Sequence, residues 1–242
     1  MVAWRGHLSF RVYLPDKPDR VKLLILCDSS NGYCSRFEIY HGSDNNPSPK
    51  GKIYDPVMRL MNPYLNKGHK LFVDNYYTSP ILFHDLRKLG TGGCGTLRAN
   101  RKGVPDDIKS VKLKKGESVA MTNRILQILK WKDKRDVHMC TSIHNAEFGN
   151  TRKNDRNTGQ AIQKPVAILD YDKYMGAVDR CDQMISYPAF KRRTLKWWKK
   201  VFFYLLMLAT LNAYLLYSAS SVARRTENQS YIKYLDVKWP RI

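Results

Sequence analysis

A stretch of 23 uncharged residues, Val201–Ala223, limits the possible folds of this 242-residue chain more than any other feature. A helix of that length and composition either crosses a membrane or buries an apolar face against a protein core. Thr210 and Asn212 lie near its centre, and basic residues flank it on both sides, which leaves no orientation signal for a membrane protein. We therefore expect a buried or half-buried core helix, and we do not expect a membrane partner.

The charge of the chain indicates a polyanionic partner. Lys and Arg number 42 against 21 Asp and Glu, which gives a formal net charge of +21. Because 43% of the residues are hydrophobic, the chain can bury a core, and the charge does not indicate a disordered tail. Counterion release from a nucleic acid is the simplest physical use of such an excess of positive charge.

The five cysteines exclude two classes of protein. No Cys-x-x-Cys pair occurs among them, which argues against both a disulfide-stapled secreted module and a zinc ribbon. The expected compartment is reducing.

Hydrophobic periodicity indicates an α/β fold. Strands are predicted at Leu8–Leu14, Lys22–Cys27 and His69–Val73, and helices are predicted to begin at Asp55 and near Pro80. The segment from Arg101 to about Asn157 is basic and rich in loops, with short β-like pieces, and indicates an insertion. Pro165–Leu169 is predicted as a last strand, and the pattern is helical from about Lys173 onward.

Three carboxylates carry the most informative chemistry. Asp74 directly follows an apolar strand, a position at which catalytic or metal-binding groups are common, although an Asp there can equally cap a helix or form a turn. Asp179 and Asp182 lie three residues apart on a predicted helix and share a face, which can equally be a solvated face. Carboxylates are the ligands that hard ions such as Mg²⁺ prefer, so these residues suggest metal-assisted phosphoryl transfer.

A basic run of ten residues precedes the uncharged stretch. It can grip phosphates and stack tryptophans on bases, or it can be a solvated helix start with buried tryptophans, and both can hold on one helix. The run can also act as a nuclear-import signal. Its six cations are Lys191, Arg192, Arg193, Lys196, Lys199 and Lys200.

Several motifs in order resemble the catalytic domain of piggyBac-type transposases and of the domesticated proteins derived from them. They include Phe72–Ser79, Met175–Met184 and Arg193–Lys200, with Trp4–Phe10 nearer the start. The resemblance implies a ribonuclease H-like mixed sheet flanked by helices, with a β-rich insertion before the final catalytic helix. It also implies that three aspartates bind two Mg²⁺ or Mn²⁺ ions and that no small-molecule cofactor is used.

The resemblance assigns roles to individual residues. Asp74 matches the second catalytic aspartate, Asp179 the third, and Asp182 a nearby acid that also matters. The catalytic core would comprise residues 1–100 and 164–223, with the insertion at 101–163 and a C-terminal extension at 224–242. The position of the first catalytic aspartate falls three residues before Met1, so we expect a chain that binds its ions poorly and is catalytically impaired.

Two functions follow from the resemblance. The first is a DNA-binding domain that, in a complete form, cleaves DNA and transfers strands in cut-and-paste transposition. The second is a domesticated, non-enzymatic module that binds DNA, chromatin or partner proteins. Family members carry an N-terminal region for dimerisation and DNA contact, so a homodimer is a further expectation, and the expected location is the nucleus.

Overall fold

A computed structural model of the chain describes residues 2–12, 20–42, 48–154, 159, 161–186 and 194–220, with backbone alone at 152 and 153. The chain forms two compact units. Unit 1 combines Met1–Asp44 with Gly176–Ile242, and unit 2 is the continuous segment Asn45–Met175. The two ends of the chain therefore build one unit, and the middle of the chain builds the other.

The described strands and helices alternate along the chain. The strands are β1 (Val2–Ala3), β2 (Arg20–Val21), β3 (Leu23–Cys27), β4 (Cys34–Ile39), β5 (Lys70–Val73), β6 (Gly92–Thr96), β7 (Ser118–Thr122), β8 (Gln127–Lys132), β9 (Asp136–Thr141), β10 (Phe148–Asn154) and β11 (Ala161–Pro165). The helices are α1 (Tyr54–Met61), α2 (Pro80–Lys88), α3 (Asp106–Ser110), α4 (Val166–Tyr174), α5 (Ala177–Ser186) and α6 (Trp197–Ala219), and a 3₁₀ turn, Asn62–Tyr64, follows α1.

Unit 1 packs two helices against short antiparallel strands. Strand β1 pairs with β2, and β3 pairs with β4. One face of α6 is buried through Val201, Leu208 and Leu211, whereas Phe202 and Leu216 on the same helix are 57% and 59% exposed. Of the described helices, α6 is the one with the length and apolar composition of a membrane span. It is a half-buried helix of unit 1, as the sequence predicts.

Unit 2 contains a five-stranded mixed sheet in the order β5-β6-β9-β8-β7. The pair β5–β6 is parallel, and α2 forms the crossover between its strands, while the other pairs are antiparallel. Helix α2 lies very close to β6, because a Cβ atom on Gly93 would come within 2.7 Å of the Phe83 ring. Phe83 is fully buried. This mixed sheet with flanking helices confirms the predicted α/β class.

Short strands form within the predicted insertion, including β7, β8 and β9, whereas two other predicted strands are wrong. Pro165–Leu169 is not a strand, because β11 ends at Pro165 and α4 begins at Val166. Short apolar runs fit a buried strand and a buried helix equally well, and here Ala167 and Ile168 are buried on a helix. The described part of Leu8–Leu14 forms only an isolated bridge, between Val12 and Arg20.

The predicted domain boundaries at 101, 164 and 224 stay a prediction. The two compact units divide the chain by internal packing, whereas the predicted boundaries divide it by function. The predicted insertion lies entirely within unit 2, together with β5 and β6 from the preceding part of the predicted core.

Candidate functional site

Asp74 lies immediately after β5 in unit 2, where the sequence places it. Its Oδ1 atom accepts hydrogen bonds from the backbone N–H groups of Tyr76 (3.0 Å) and Tyr77 (3.2 Å). This is the turn arrangement that the sequence left open as the alternative to a catalytic role. Because Oδ1 accepts both bonds, the carboxylate is held in a fixed orientation and remains half-buried.

Thr78 holds the turn that carries Asp74 through two hydrogen bonds. The backbone N–H of Thr78 donates to the Asp74 carbonyl oxygen at 3.0 Å, and the Thr78 hydroxyl donates to the same oxygen at 2.8 Å. Thr78 is fully buried. Gly95 on β6 makes room for it, because a Cβ atom at that position would collide with the Thr78 hydroxyl and lie 2.5 Å from the Val73 carbonyl oxygen.

Two arginines clamp the same turn, and sequence reasoning missed both. Arg101 donates to the carbonyl oxygens of Tyr76 (2.7 Å) and Asn75 (3.1 Å), and Arg98 donates to the Asn75 side-chain oxygen at 3.3 Å. Arg98 is exposed. The only signal in the sequence is that both follow β6, the parallel neighbour of the strand that ends at Asp74.

Tyr77 gives a measure of the environment around Asp74. Burial, then the negative charge of Asp74 and then Tyr76, raise the pKa of the Tyr77 hydroxyl. The hydroxyl therefore stays protonated through the physiological range beside the Asp74 carboxylate.

Asp179 and Asp182 lie on α5 in unit 1, as predicted, but in different surroundings. Asp182 is half-buried, and its Oδ1 accepts a hydrogen bond from the Tyr204 hydroxyl of α6 at 2.9 Å. Asp179 is exposed, and within the described residues its carboxylate has no hydrogen bond or ion pair. Burial, followed by the charge of Asp182, raises the pKa of Tyr204. Asp179 is thus the carboxylate on α5 that is left available to a ligand.

The β3–β4 turn packs beside these carboxylates. Arg180, next to Asp179 on α5, donates to the carbonyl oxygens of Ser29 and Ser30 at 3.5 Å each. Asp28 accepts hydrogen bonds from the backbone N–H and the hydroxyl of Ser30, both at 2.7 Å, and these bonds lower the pKa of Asp28. Asp28 is therefore a turn residue that stabilises the loop.

The donor chemistry suits a hard cation, but the described residues do not assemble a metal site. Carboxylate oxygens such as those of Asp74 and Asp179 match Mg²⁺ or Mn²⁺. Across the described parts of the chain, no group of three or more His, Cys, Asp or Glu side chains is placed to hold a metal ion. Asp74 belongs to unit 2, and Asp179 and Asp182 belong to unit 1, so a shared site for the three remains a prediction.

At the start of α6, one tryptophan of the basic run packs against the core and the other is exposed. Trp197 packs edge-on against Phe10 at a ring distance of 5.3 Å, in the core of unit 1. Trp198 is 51% exposed, and the ammonium groups of Lys196 and Lys199 lie 5.9 and 5.7 Å from its ring centre. We call Lys196, Trp198 and Lys199 the α6 basic cluster. Of the other predicted cations, Lys200 is half-buried, and Lys191, Arg192 and Arg193 lie outside the described residues.

Comparison with protein families gives one match that spans most of the chain. Residues 1–214 match the family model described as transposase IS4. The chain is 26% identical to human piggyBac transposable element-derived protein 2 over 236 residues, which cover 90% of this chain and 39% of that protein. It is also 26% identical to human piggyBac transposable element-derived protein 3, over 232 residues with the same coverage.

One solved structure has the same fold. It is the cryo-EM structure of a piggyBac transposase synaptic complex with hairpin DNA, and it matches with a TM-score of 0.83 and 25% identity. The match covers 97% of this chain and 48% of that chain, and it confirms the predicted ribonuclease H-like fold. The chain spans less than half the length of the relatives it matches.

Proposed function

Since the chain belongs to the transposase IS4 family and is related to piggyBac transposases, we propose that it is a DNA-binding domain derived from such a transposase. In a complete form the domain cleaves DNA and transfers strands. The 242-residue chain by itself binds DNA and performs this chemistry weakly. The solved structure with the same fold is a transposase complex with hairpin DNA, which supports DNA as the ligand class.

The observation that carries DNA binding is the α6 basic cluster. An exposed indole with ammonium groups 5.9 and 5.7 Å from its ring centre offers a stacking surface for a base and two contacts for phosphates. Trp197 is half-buried and packs against Phe10, so the greater exposure of Trp198 supports contact with an external ligand. The net charge of +21 adds the long-range attraction that brings DNA to this surface.

The carboxylates support the second part of the proposal. Asp74 is fixed by backbone N–H groups at the end of β5, and Asp179 is exposed on α5. A divalent ion bound to such groups would activate water or a DNA 3′-hydroxyl for attack on a phosphodiester. Weak metal binding and weak activity of this chain by itself are part of the proposal.

Arg98 is a second candidate phosphate contact, in unit 2. Arg98 is exposed beside the turn of Asp74 and donates from its Nε to the Asn75 side-chain oxygen. Arginine in that position can bind a phosphate in a bidentate manner and hold it near Asp74.

Fluorescence anisotropy of a labelled DNA duplex over a range of salt concentrations tests binding. We expect affinity to fall steeply as salt rises, because each phosphate contact releases counterions. Replacing Lys196 and Lys199 together by Gln should weaken binding and reduce the slope of log affinity against log salt by about 2. Affinity independent of salt would refute the proposal.

A matched control separates this surface from the general charge of the chain. Lys115 is exposed in the loop before β7, far along the sequence from α6, and Lys115→Gln removes one charge without touching Trp198. We expect Lys115→Gln to leave the affinity almost unchanged. If it weakened binding as much as a single Lys196→Gln change, binding would depend on net charge and not on the α6 basic cluster.

The second candidate function is a non-enzymatic DNA-binding or protein-interaction module. Incubating the chain with labelled duplex and Mg²⁺ or Mn²⁺ distinguishes the two. Cleavage that is abolished by Asp179→Asn would exclude the non-enzymatic module, whereas binding with no cleavage at any metal concentration would favour it.

A homodimer and a nuclear location are further parts of the proposal. Light scattering of the DNA-bound chain would test the homodimer, and fluorescence imaging of a tagged chain would test the location.

A further inference from the structure

Three of the five cysteines meet in the core of unit 1. Cys34 on β4 and Cys181 on α5 are buried, and Cys27 at the end of β3 packs against the same cluster while remaining partly exposed. All three are free thiols. Neither the ribonuclease H-like fold nor the proposed DNA binding needs a group of thiols at this place.

Cys27 and Cys34 are cross-strand neighbours in the β3–β4 hairpin, at a β-bulge that shifts the register between Leu26 and Cys27. Cys34 directs its backbone N–H and C=O to the side chain of Asn212 on α6, at 3.0 and 2.9 Å. These groups therefore point away from β3, and the two cysteines form a non-hydrogen-bonded pair. Regular pairs of this kind bring their Cα atoms to about 4.5 Å, and their side chains are close. This separation lies within the range of a disulfide.

We propose that Cys27 and Cys34 are an oxidant-sensitive dithiol that closes to a disulfide across the hairpin. The hairpin turn accepts the Arg180 hydrogen bonds through Ser29 and Ser30, so the disulfide would fix the loop that packs against α5. Cys27 is partly exposed and Cys34 is buried, so the oxidant has to be small, and peroxide is the small oxidant that thiols in a reducing compartment meet.

The reaction balances with hydrogen peroxide as the oxidant. The Cys34 thiolate attacks one peroxide oxygen, the O–O bond breaks, and a sulfenic acid forms with hydroxide as the leaving group. The hydroxide takes the proton of the Cys27 thiol and becomes water. The Cys27 thiolate then attacks the Cys34 sulfur, the S–O bond breaks, and hydroxide leaves as the disulfide forms.

The hydrogen bonds of the thiols support these roles. Contact with Cys27 lowers the pKa of Cys34 and outweighs burial, and the Cys34 thiol also lies 3.6 Å from the Arg36 carbonyl oxygen. Contacts with Cys181 and then Cys34, followed by burial, raise the pKa of Cys27. Cys34 is thus the thiol that ionises more readily, and Cys27 holds the proton that the first step consumes.

The other two cysteines provide an internal control. Cys94 and Cys140 are fully buried in unit 2, and burial raises the pKa of each thiol to about 12. They should remain protonated and inert under conditions that oxidise the pair in unit 1.

The test is thiol mapping on the full chain. After peroxide treatment and alkylation of the remaining thiols, trypsin should release Leu23–Arg36 as one peptide, because no Lys or Arg separates the two cysteines. We expect this peptide to be unlabelled and lighter by two hydrogen atoms, and chymotryptic cleavage after Tyr33 should leave its halves linked until dithiothreitol is added. The free thiols of Cys27 and Cys34 should be lost at least about tenfold faster than those of Cys94 and Cys140.

Two variants sharpen the result. Cys181→Ser should retain the Cys27–Cys34 link, and Cys27→Ser should abolish it, with circular dichroism reporting whether each variant folds. A link from Cys27 to Cys181, links only between chains, or loss of all five thiols at one rate would overturn the proposal. The mapping of the unaltered chain decides the question even if a variant fails to fold.

Discussion

The side chain of Asn212 makes the two hydrogen bonds with the backbone of Cys34 that a neighbouring strand would otherwise make. Its Oδ1 accepts the Cys34 backbone N–H at 3.0 Å, and its Nδ2 donates to the Cys34 carbonyl oxygen at 2.9 Å. A single amide in α6 thereby satisfies both polar groups on the outer edge of β4, next to a buried side chain. This explains why a helix that is otherwise strongly apolar carries Asn at its centre.

Asn212→Ala should destabilise unit 1. The change leaves two backbone groups of Cys34 without partners, so the free energy of unfolding should fall by about 2–4 kcal/mol. Urea denaturation followed by circular dichroism measures the loss. Ala213→Ser, at the next and exposed position of α6, should change the stability by less than about 0.5 kcal/mol. Equal effects of the two substitutions would show that the Asn212 amide contributes nothing specific.

Asp85 should make the stability of unit 2 depend on pH in the acid range. Burial raises its pKa, but hydrogen bonds from Lys50 (2.7 Å) and Tyr54 (2.8 Å), with a further one from His84, outweigh burial and lower it to about 2. Because the folded pKa lies below the unfolded value of 3.8, the stabilisation is complete above that value and is lost as pH falls towards 2.

Asp85→Asn should therefore lower the free energy of unfolding at neutral pH, by about 1 kcal/mol, and the difference should disappear between pH 4 and pH 2. Thermal unfolding at a series of pH values tests this. Asp106 pairs with Lys109 but has a 94% exposed side chain, so Asp106→Asn is the matched control and should have almost no effect. A difference for Asp85→Asn that persisted at pH 2 would contradict the expectation.

Gly95→Ala should disrupt the turn that carries Asp74. The new methyl group would collide with the Thr78 hydroxyl and approach the Val73 carbonyl oxygen to 2.5 Å, so either the turn or β6 must move. We expect a loss of stability of about 1–3 kcal/mol, measured by thermal unfolding. Gly176→Ala meets nothing within 4 Å and should be tolerated. A Gly95→Ala chain as stable as the unaltered one would mean that Thr78 does not hold the turn.

Arg98→Gln should weaken DNA binding without unfolding the protein. Its guanidinium is exposed beside Asp74, and loss of one phosphate contact should raise the dissociation constant by about fivefold and lower the salt slope by about 1. Anisotropy titrations measure both. Arg87→Gln removes an exposed arginine from the last turn of α2 and serves as the control. If both changes weakened binding equally, the contact would not be specific to the Asp74 turn.

Local patterns in the sequence predict most of unit 2. The alternating insertion strands and the helix opened by Pro80 appear where the patterns indicate, because each depends on near neighbours in the chain. The prediction fails at Val166, where an apolar run that fits a strand forms a helix. Either a strand or a helix could bury these apolar side chains against β6 and β9, so the run alone does not decide between them.

The candidate site is predicted only in part, for a related reason. Asp74 is recognisable because a carboxylate follows a buried strand, a local signal. The clamp by Arg101 is not recognisable, because its partner Tyr76 lies 25 residues away and the contact exists only once β5 and β6 are paired. The amide of Asn212, 178 residues from Cys34, is hidden in the same way.

The division of the chain into units sets an order of assembly during synthesis. Unit 2 is continuous from Asn45 to Met175, so it can complete its sheet while the ribosome is still making α5 and α6. The β3–β4 hairpin emerges earlier but has to wait for both helices before its apolar side chains and the edge of Cys34 are covered. The β3–β4 hairpin is thus made before unit 2 but becomes stable after it, and it depends on α5 and α6 for protection from aggregation.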